Sequence, residues 1–153
     1  MTQVFKPKEV TYEEVEEGAA LGPIEEVVTA EDVKQFMDSI GSKRDWYSKG
    51  SPFGQAVVPP MVLEQMANGL RGTRYVIKAT GGGLHAGIET EYLKPVPVGT
   101  KVRIEGKLAS KYIRREKYYF ITEATIYNQQ GEVAMRYRTI QANLPDPKQA
   151  RVR

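Results

Sequence analysis

The chain of 153 residues contains no cysteine and a single histidine, His85. Without cysteine it can form no disulfide, no thiolate metal site and no cysteine nucleophile. The sequence has one histidine, and its carboxylates show no recognisable metal-ligand spacing. We therefore predict neither a metal site nor another cofactor. If an imidazole takes part in proton transfer, His85 is the only candidate.

Long hydrophobic runs are also missing. No apolar segment approaches the length of a bilayer span, and the polar start MTQVFKPKEV does not resemble a signal peptide. We therefore expect a cytoplasmic protein without membrane contact. The length fits one domain over residues 1–153, with a core at about 10–144 and a flexible tail at 145–153.

The net charge is +3, and much of the positive excess lies in KYIRREK and in the terminal KQARVR. No zinc-finger, RNP-like or helix-turn-helix pattern accompanies these residues, so we expect no nucleic-acid partner. Arginines suit phosphate geometry, so Arg114 and Arg115, with Lys111 and Lys117, could contact a phosphorylated ligand. The alternative is a solvated hairpin and tail.

Two segments predict helices. In DWYSKGSPFGQAVVPPMVLEQMANGL, a loop that begins at Asp45 leads to Pro60, which suits the first turn of a helix because that position needs no backbone donor. The residues after it are apolar on most sides, which predicts a buried helix. In TAEDVKQFMDSIG, Thr29 is a good N-cap and Gly41 a natural stop for an amphipathic helix.

Period-two alternation predicts four long strands, at 84–93, 100–108, 118–127 and 133–142, and two short extended pieces, at 10–15 and 24–28. PVPVG joins the first two long strands, NQQGE predicts a hairpin, and ATGGG predicts a flexible link. We expect an α+β fold in which an antiparallel meander wraps around the central helix.

Several stretches resemble the MaoC-like hydratase/dehydratase family, which has the hotdog fold. TYEEVEEG and VTAEDVKQFMDSIG are similar to its first strand and helix, and SPFGQAVVPPMVL to the lead into its hotdog helix. Val58-Pro59-Pro60 resembles a short motif that is common at this point in the FAS1-type branch of that family. LHAGIETEYLKPVPVGTKV and NQQGEVAMRYRT complete the similarity, which covers roughly residues 10–144.

This resemblance implies binding of an acyl thioester of coenzyme A or of acyl carrier protein. The implied reaction is reversible addition of water to a 2-enoyl thioester, for which the family uses an Asp and a His just before the central helix. Asp45 occupies the position of that Asp, whereas Gly50 occupies the position of the His. The resemblance also implies at least a dimer, with two sheets joined edge to edge.

The candidate catalytic residues are Asp45 and His85. His85 follows a pattern seen in the FAS1-type branch and could supply the missing proton transfer, or it could be a hydrogen-bonded structural group. Asp45 could be a base or could hold the loop in place. The candidate substrate-binding residues are Trp46, Tyr47, Gln55, Val58 and Met61.

Two other functions remain open on the sequence alone. The chain could be a non-catalytic, acyl-binding subunit whose partner, a second MaoC-like chain, supplies the Asp/His pair. It could also be a hotdog acyl-CoA thioesterase, for which Glu64 is the obvious carboxylate on the central helix. If Glu64 is buried it needs a partner, because an isolated ionised carboxylate is costly inside a protein.

Overall fold

A five-stranded antiparallel sheet carries one helix on its inner face in the computed structural model, which describes residues 4–78 and 81–144. The strands are β1 (Lys8–Val10), β2 (Ala20–Val27), β3 (Tyr75–Ile77), β4 (Gly83–Tyr92), β5 (Lys101–Arg114), β6 (Lys117–Tyr127) and β7 (Val133–Asn143). The helices are α1 (Ala30–Ser39) and α2 (Pro60–Asn68), with 3-10 turns at Asp45–Tyr47 and Gly69–Thr73.

The main sheet has the strand order β2-β5-β6-β7-β4, and β1 pairs with β3 in parallel as a separate small sheet. The expected meander is confirmed for β5, β6 and β7, which are neighbours in sequence order. It is wrong for β4, which pairs with β7 at the opposite edge from β2. The α+β hotdog architecture expected from the sequence is therefore present, with a different neighbour for β4.

The segment between β4 and β5 explains this difference. Its backbone N–H groups do not form a hairpin turn: Leu93 N donates to the Ala134 carbonyl at 2.9 Å, and Gly99 N donates to the Val28 carbonyl at 2.7 Å. Eight residues can span about 26 Å, whereas three strand spacings need only about 14 Å. The segment therefore has enough length to cross the end of the sheet from one edge towards the other.

The short strands also differ from expectation. The first extended piece forms β1 at Lys8–Val10, and a turn occupies residues 12–14 where the strand was predicted to continue. The second begins earlier than predicted, at Ala20, because β2 pairs along β5 from Lys107 to Lys101. The predicted tail at 145–153, and two of the five residues of the predicted link at 79–83, lie outside the described residues.

Helix α1 has the predicted boundaries. Thr29 is its N-cap and forms a capping box with Asp32: the Asp32 N–H donates to Thr29 Oγ1 at 3.2 Å, and the Thr29 N–H donates to Asp32 Oδ2 at 2.8 Å. Gly41 follows the helix with a φ of 65°. The hydrogen bonds from Thr29 lower the pKa of the Asp32 carboxyl.

Helix α2 lies against the inner face of the sheet. Its buried apolar residues include Val62, Leu63 and Ala67, and they pack in one cluster with sheet residues such as Ile104, Phe120, Ile126, Met135 and Tyr137. Full burial of one such aliphatic side chain contributes about 1.5–3 kcal/mol. The predicted burial does not extend to one face of α2, where Met61 is 48% exposed and Gln65 is also exposed, because nothing in the described chain covers it.

Candidate functional site

An apolar slot of about 300 Å³ lies at the amino end of α2. It is lined by Trp46, Tyr47, Phe53, Val57, Val58, Pro60, Leu63, Tyr92, Leu93, Lys94, Pro95, Val96 and Ala134. Four of these side chains are aromatic, and most of the others are aliphatic. We call it the aromatic slot. Such a lining accepts an apolar group, with orientation set by a few polar atoms.

The loop before α2 forms one wall of the aromatic slot. A 3-10 turn at Asp45–Tyr47 directs Trp46 and Tyr47 towards it, and the Val57 N–H donates to the Trp46 carbonyl at 3.0 Å. The rings of Trp46 and Phe53 meet edge to face with their centroids 6.5 Å apart. Aromatic pairs of this geometry add about 0.5–1.5 kcal/mol to the burial of their surface.

The crossing segment after β4 forms the opposite wall. Val96 is 1% exposed, and its carbonyl accepts a 2.8 Å hydrogen bond from the Val58 N–H. Val57 and Pro97 form an isolated antiparallel bridge. These contacts fix the entry of the chain into α2, so the loop, the helix start and the end of β4 meet at one place.

A tyrosine–glutamate pair brings polar atoms to the slot. The Tyr92 hydroxyl, at the end of β4, donates a hydrogen bond to Oε1 of Glu64, whose residue is only 9% exposed. Burial, and then the hydrogen bond to Glu64, raise the pKa of Tyr92 to about 12. Glu64 therefore has the partner that a carboxylate under the sheet requires. Tyr92 was not among the predicted site residues, although its alternation in β4 with Thr90 and Ile88 is visible in the sequence.

Asp45 does not line the aromatic slot. Its side chain is 63% exposed and forms an ion pair with Lys49, at 3.1 Å between Oδ1 and Nζ. Its carbonyl accepts hydrogen bonds from the backbone N–H groups of Ser48, Lys49 and Gly50. These contacts are those of a residue that holds the loop, and the next residue in the chain, Trp46, does line the slot.

The predicted substrate-binding residues divide into two groups. Trp46, Tyr47 and Val58 line the aromatic slot. Gln55 does not: its side chain is exposed, and its carbonyl accepts a 2.7 Å hydrogen bond from the Ser51 hydroxyl. The side chain of Met61 also lies outside the slot, on the open side of α2.

His85 lies near the start of β4 and is exposed. It pairs with Gln141 of β7, which in turn pairs with Phe120 of β6. Paired residues project to the same face of a sheet, and Phe120 is fully buried in the cluster under α2. The imidazole therefore projects to the helix-covered face of the sheet.

Within one chain the structure does not bring His85 and Asp45 together. His85 is seven residues before Tyr92, which lines the aromatic slot, and seven residues of extended strand span about 23 Å. Asp45 adjoins the slot through Trp46. The two candidate catalytic residues therefore lie towards opposite ends of the edge strand.

A larger groove, of about 520 Å³, lies between α1 and α2. Its lining mixes Asp32, Gln35 and Gln65 with apolar side chains, and the Asp32 carboxylate is already held by the capping box. The groove contains neither a histidine nor an aromatic cluster, so we regard the aromatic slot as the better candidate site.

Two structural findings concern other classes of function. Within residues 4–78 and 81–144, no three His, Asp or Glu side chains are grouped so as to hold a metal ion. Over the same residues, no helix has the length and apolar character of a membrane span.

Comparison with solved structures shows the same architecture at low sequence identity. A monoamine oxidase regulatory protein from Archaeoglobus aligns with a TM-score of 0.77 and 15% identity, over 94% of this chain and 100% of that one. The (R)-hydratase from A. caviae involved in PHA biosynthesis aligns with a TM-score of 0.67 and 18% identity, over 86% of this chain and 98% of that one.

The HadBC (3R)-hydroxyacyl-ACP dehydratase complex from Mycobacterium tuberculosis aligns with a TM-score of 0.66 and 17% identity, over 82% of this chain and 96% of that one. These likenesses show that the chain shares the fold of these proteins. The model of the FAS1-like dehydratase domain region matches residues 16–137, and the chain belongs to that family. No curated protein matches the sequence.

Proposed function

We propose that this chain acts in the reversible hydration of 2-enoyl thioesters, with coenzyme A or acyl carrier protein as the carrier, in a dimer of hotdog chains. The observation that carries the proposal is the position of the aromatic slot. It lies at the amino end of α2 and beside the end of the edge strand β4, where an apolar acyl group meets the helix N-terminus. The family match supports this assignment.

At the entry to α2, between Val58 and Val62, the described backbone leaves one amide without a backbone acceptor. Pro59 and Pro60 have no N–H, the Val58 N–H bonds the Val96 carbonyl, and the Val62 N–H bonds the Pro59 carbonyl at 2.9 Å. We assign the Met61 N–H, in the first turn of α2, to the thioester carbonyl. A donor there stabilises the enolate oxygen that forms as water adds at C3, and the helix dipole adds to the effect. In this role Met61 acts through its backbone.

The proposed acid and base are Asp45 and His85, brought together between two chains. Strand β4 ends the sheet, and Ile88 on its helix-covered face is 48% exposed. In the proposed dimer, a two-fold axis through Ile88 pairs two β4 strands antiparallel, with their helix-covered faces on the same side. With this axis, and with the register shift between His85 and Gly87 taken into account, the proposed dimer has His85 opposite the partner's Thr90. The diagonal neighbour, the partner's Tyr92, lies about 7–8 Å away.

In this arrangement the imidazole of one chain faces the aromatic slot of the other. One of the two groups removes the proton of water and the other delivers a proton to C2, which is the division of labour that hydration requires. Asp45 must release Lys49 to take part, because the ion pair occupies its carboxylate.

A second function is favoured by the ion pair of Asp45 and by Gly50, which stands where the family's motif has its histidine. In this alternative the chain is an acyl-binding subunit, and an unlike hotdog chain supplies both proton-transfer groups. The third function, thioester cleavage, has a weaker basis. Glu64 is the buried carboxylate on α2, but its hydrogen bond to Tyr92 occupies Oε1.

The test is an assay of crotonyl-CoA and longer 2-enoyl-CoA hydration by the purified chain, beside the variants His85→Ala and Asp45→Asn. Asp38→Asn is the matched control, since Asp38 is also exposed and paired with a lysine four residues away, at 2.5 Å. We expect about 100-fold or greater loss in the first two variants and none in the control.

Other outcomes separate the alternatives. A purified chain that hydrates nothing alone, but does so once a second MaoC-like chain is added, identifies the acyl-binding subunit. Hydrolysis of saturated acyl-CoA that Glu64→Gln abolishes identifies the thioesterase. Full hydration activity in both His85→Ala and Asp45→Asn rejects the assignment of the two catalytic residues.

A further inference from the structure

A series of polar side chains lies along the edge strand β4, on the face that α2 covers. Thr90 pairs with Tyr137 of β7, which is buried in the cluster under α2, so Thr90 projects to that face. Tyr92, two residues along the same strand, projects to the same face. Its hydroxyl donates to Oε1 of Glu64 on the helix, and Glu64 is almost fully buried.

The pKa of Tyr92 indicates which group donates to its oxygen. Burial raises this pKa most, the hydrogen bond to Glu64 raises it further, and a hydrogen bond with the Thr90 side chain lowers it. A hydrogen bond lowers the pKa of a phenol when it stabilises the phenolate, so the Thr90 hydroxyl donates and the Tyr92 oxygen accepts. Having given its one proton to Tyr92, the Thr90 hydroxyl can only accept from a further group. The series therefore runs from an acceptor at Thr90 to the carboxylate of Glu64.

His85 is a donor without an acceptor. It is exposed, projects to the same face of β4, and its imidazole has no hydrogen-bond partner among residues 4–78 and 81–144. A neutral imidazole carries its hydrogen on one of two nitrogens, and the hydrogen bond that this N–H makes decides which one. Without a partner the ring exchanges between two tautomers, and only one of them presents its basic nitrogen to a given substrate atom.

The proposed dimer brings the donor and the acceptor together. Within one chain, five residues of strand separate His85 from Thr90, a span of about 17 Å. Across the proposed axis, His85 lies opposite the partner's Thr90. Opposite side chains of an antiparallel pair have Cβ atoms about 4.5–5.5 Å apart. An imidazole nitrogen and a threonine oxygen can reach hydrogen-bond distance across that gap.

We infer that the partner's Thr90 positions the imidazole of His85 across the interface between two β4 strands. His85 donates to Thr90, Thr90 donates to Tyr92, and Tyr92 donates to Glu64. This inference rests on the dimer of the proposed function. No substrate bond forms or breaks at Thr90, so it is a positioning residue. The other imidazole nitrogen is left free to face the aromatic slot, and hydrogen bonds in such a series strengthen one another.

The first experiment observes His85 directly. Because it is the only histidine, its two ring nitrogens give the only imidazole signals in the nitrogen NMR spectrum of the intact protein. We expect one dominant tautomer of the neutral ring in the parent and a mixture in Thr90→Val, which keeps the shape but lacks the hydroxyl. Thr90→Ser should restore the parental signals. Thr125→Val is the matched control, because Thr125 is also partly buried but pairs with the exposed Arg136 on the other face of the sheet.

Hydration of crotonyl-CoA gives the second readout. Thr90→Val should lower kcat about 10- to 100-fold, because a misplaced proton-transfer group is costly. The KM should change little, since the hydroxyl orients the imidazole and does not touch the substrate. Thr90→Ser should recover most of the activity, and Thr125→Val should lose none. Circular dichroism confirms that each variant is folded.

The variant Ile88→Lys, which places two lysines at the proposed axis, separates contact between chains from an effect within one. Both tautomers should be populated in it, and adding Thr90→Val should change nothing further. Parental His85 signals in Thr90→Val overturn the inference but leave hydration by the dimer standing. A response to Thr90→Val that persists in dissociated Ile88→Lys places the contact within one chain and overturns it as well. If the parent hydrates nothing and the signals still respond as expected, the proposed function falls and the inference stands.

Discussion

The hydroxyl of Tyr92 and the carboxylate of Glu64 join the end of the edge strand β4 to the second turn of α2. Glu64 is 9% exposed, whereas Tyr92 is 51% exposed and lines the aromatic slot. The pair therefore stabilises the helix against the sheet and places one phenolic oxygen at the site.

Tyr92→Phe should lower the free energy of unfolding by about 1–3 kcal/mol, because it leaves the Glu64 carboxylate buried without its donor. Urea denaturation followed by circular dichroism measures this. Adding Glu64→Leu to Tyr92→Phe should cost less than the sum of the two single changes, since the unpaired carboxylate is removed. Tyr112→Phe is the control, because it removes the hydroxyl of an exposed tyrosine whose ring stacks on Tyr119. Strict additivity would show that the hydrogen bond does not stabilise the fold.

The raised pKa of Tyr92 gives a pH dependence. Folding favours the protonated phenol, so this contribution to stability is complete below the ordinary tyrosine value of 10.0 and is lost as the pH rises towards about 12. Between these two pH values, the free energy of unfolding should fall less steeply with rising pH in Tyr92→Phe than in the parent protein. The phenolate absorbance of the parent should contain one late-titrating tyrosine that the variant lacks. Identical curves would contradict the assignment.

Ile88→Lys should disrupt pairing through β4 without unfolding the chain. The side chain is 48% exposed on the helix-covered face of the edge strand, so two lysines would face each other across the proposed axis. We expect association to weaken more than about 10-fold, as like charges across an interface repel.

Light scattering over a range of concentrations measures this change. Ile113→Lys is the matched control, because Ile113 is 56% exposed but lies at the far hairpin of β5 and β6. Equal effects of the two variants would argue against β4 as the contact.

Leu63→Ala should destabilise the fold by about 2–5 kcal/mol, because Leu63 is 4% exposed between α2 and the sheet and its loss leaves a cavity. Met61→Ala, on the open face of the same helix, should cost well under half as much. Thermal and urea unfolding compare the two. A larger loss in the Met61 variant would mean that the open face is covered in solution, which would itself support a partner on that face.

Much of the fold could be predicted from local signals. Thr29 and Gly41 mark the limits of α1, and Pro60 marks the start of α2, because capping and proline geometry depend on a few adjacent residues. The order of the strands in the sheet was harder to predict. The place of β4 beside β7 depends on where the Leu93 and Gly99 amides find acceptors, which no periodicity in the sequence reveals.

The site was predicted in part for the same reason. Trp46, Tyr47 and Val58 belong to the segment that the family resemblance singled out, and they do line the aromatic slot. Tyr92 was missed because its importance comes from a hydrogen bond to a helix residue 28 positions earlier. The separation of His85 from the slot follows from the length of a strand whose boundaries were known, but whose neighbours were not.

The crossing segment that follows Tyr92 gives the edge strand a second attachment. The Val96 carbonyl bonds the entry to α2, and the Leu93 N–H bonds β7. The proposed ligand contacts at the slot and the proposed subunit contacts along β4 therefore depend on one continuous stretch of backbone. Thermodynamic linkage then requires reciprocity: an acyl group that orders this stretch tightens the association of two chains, and association tightens the hold on the acyl group by the same factor.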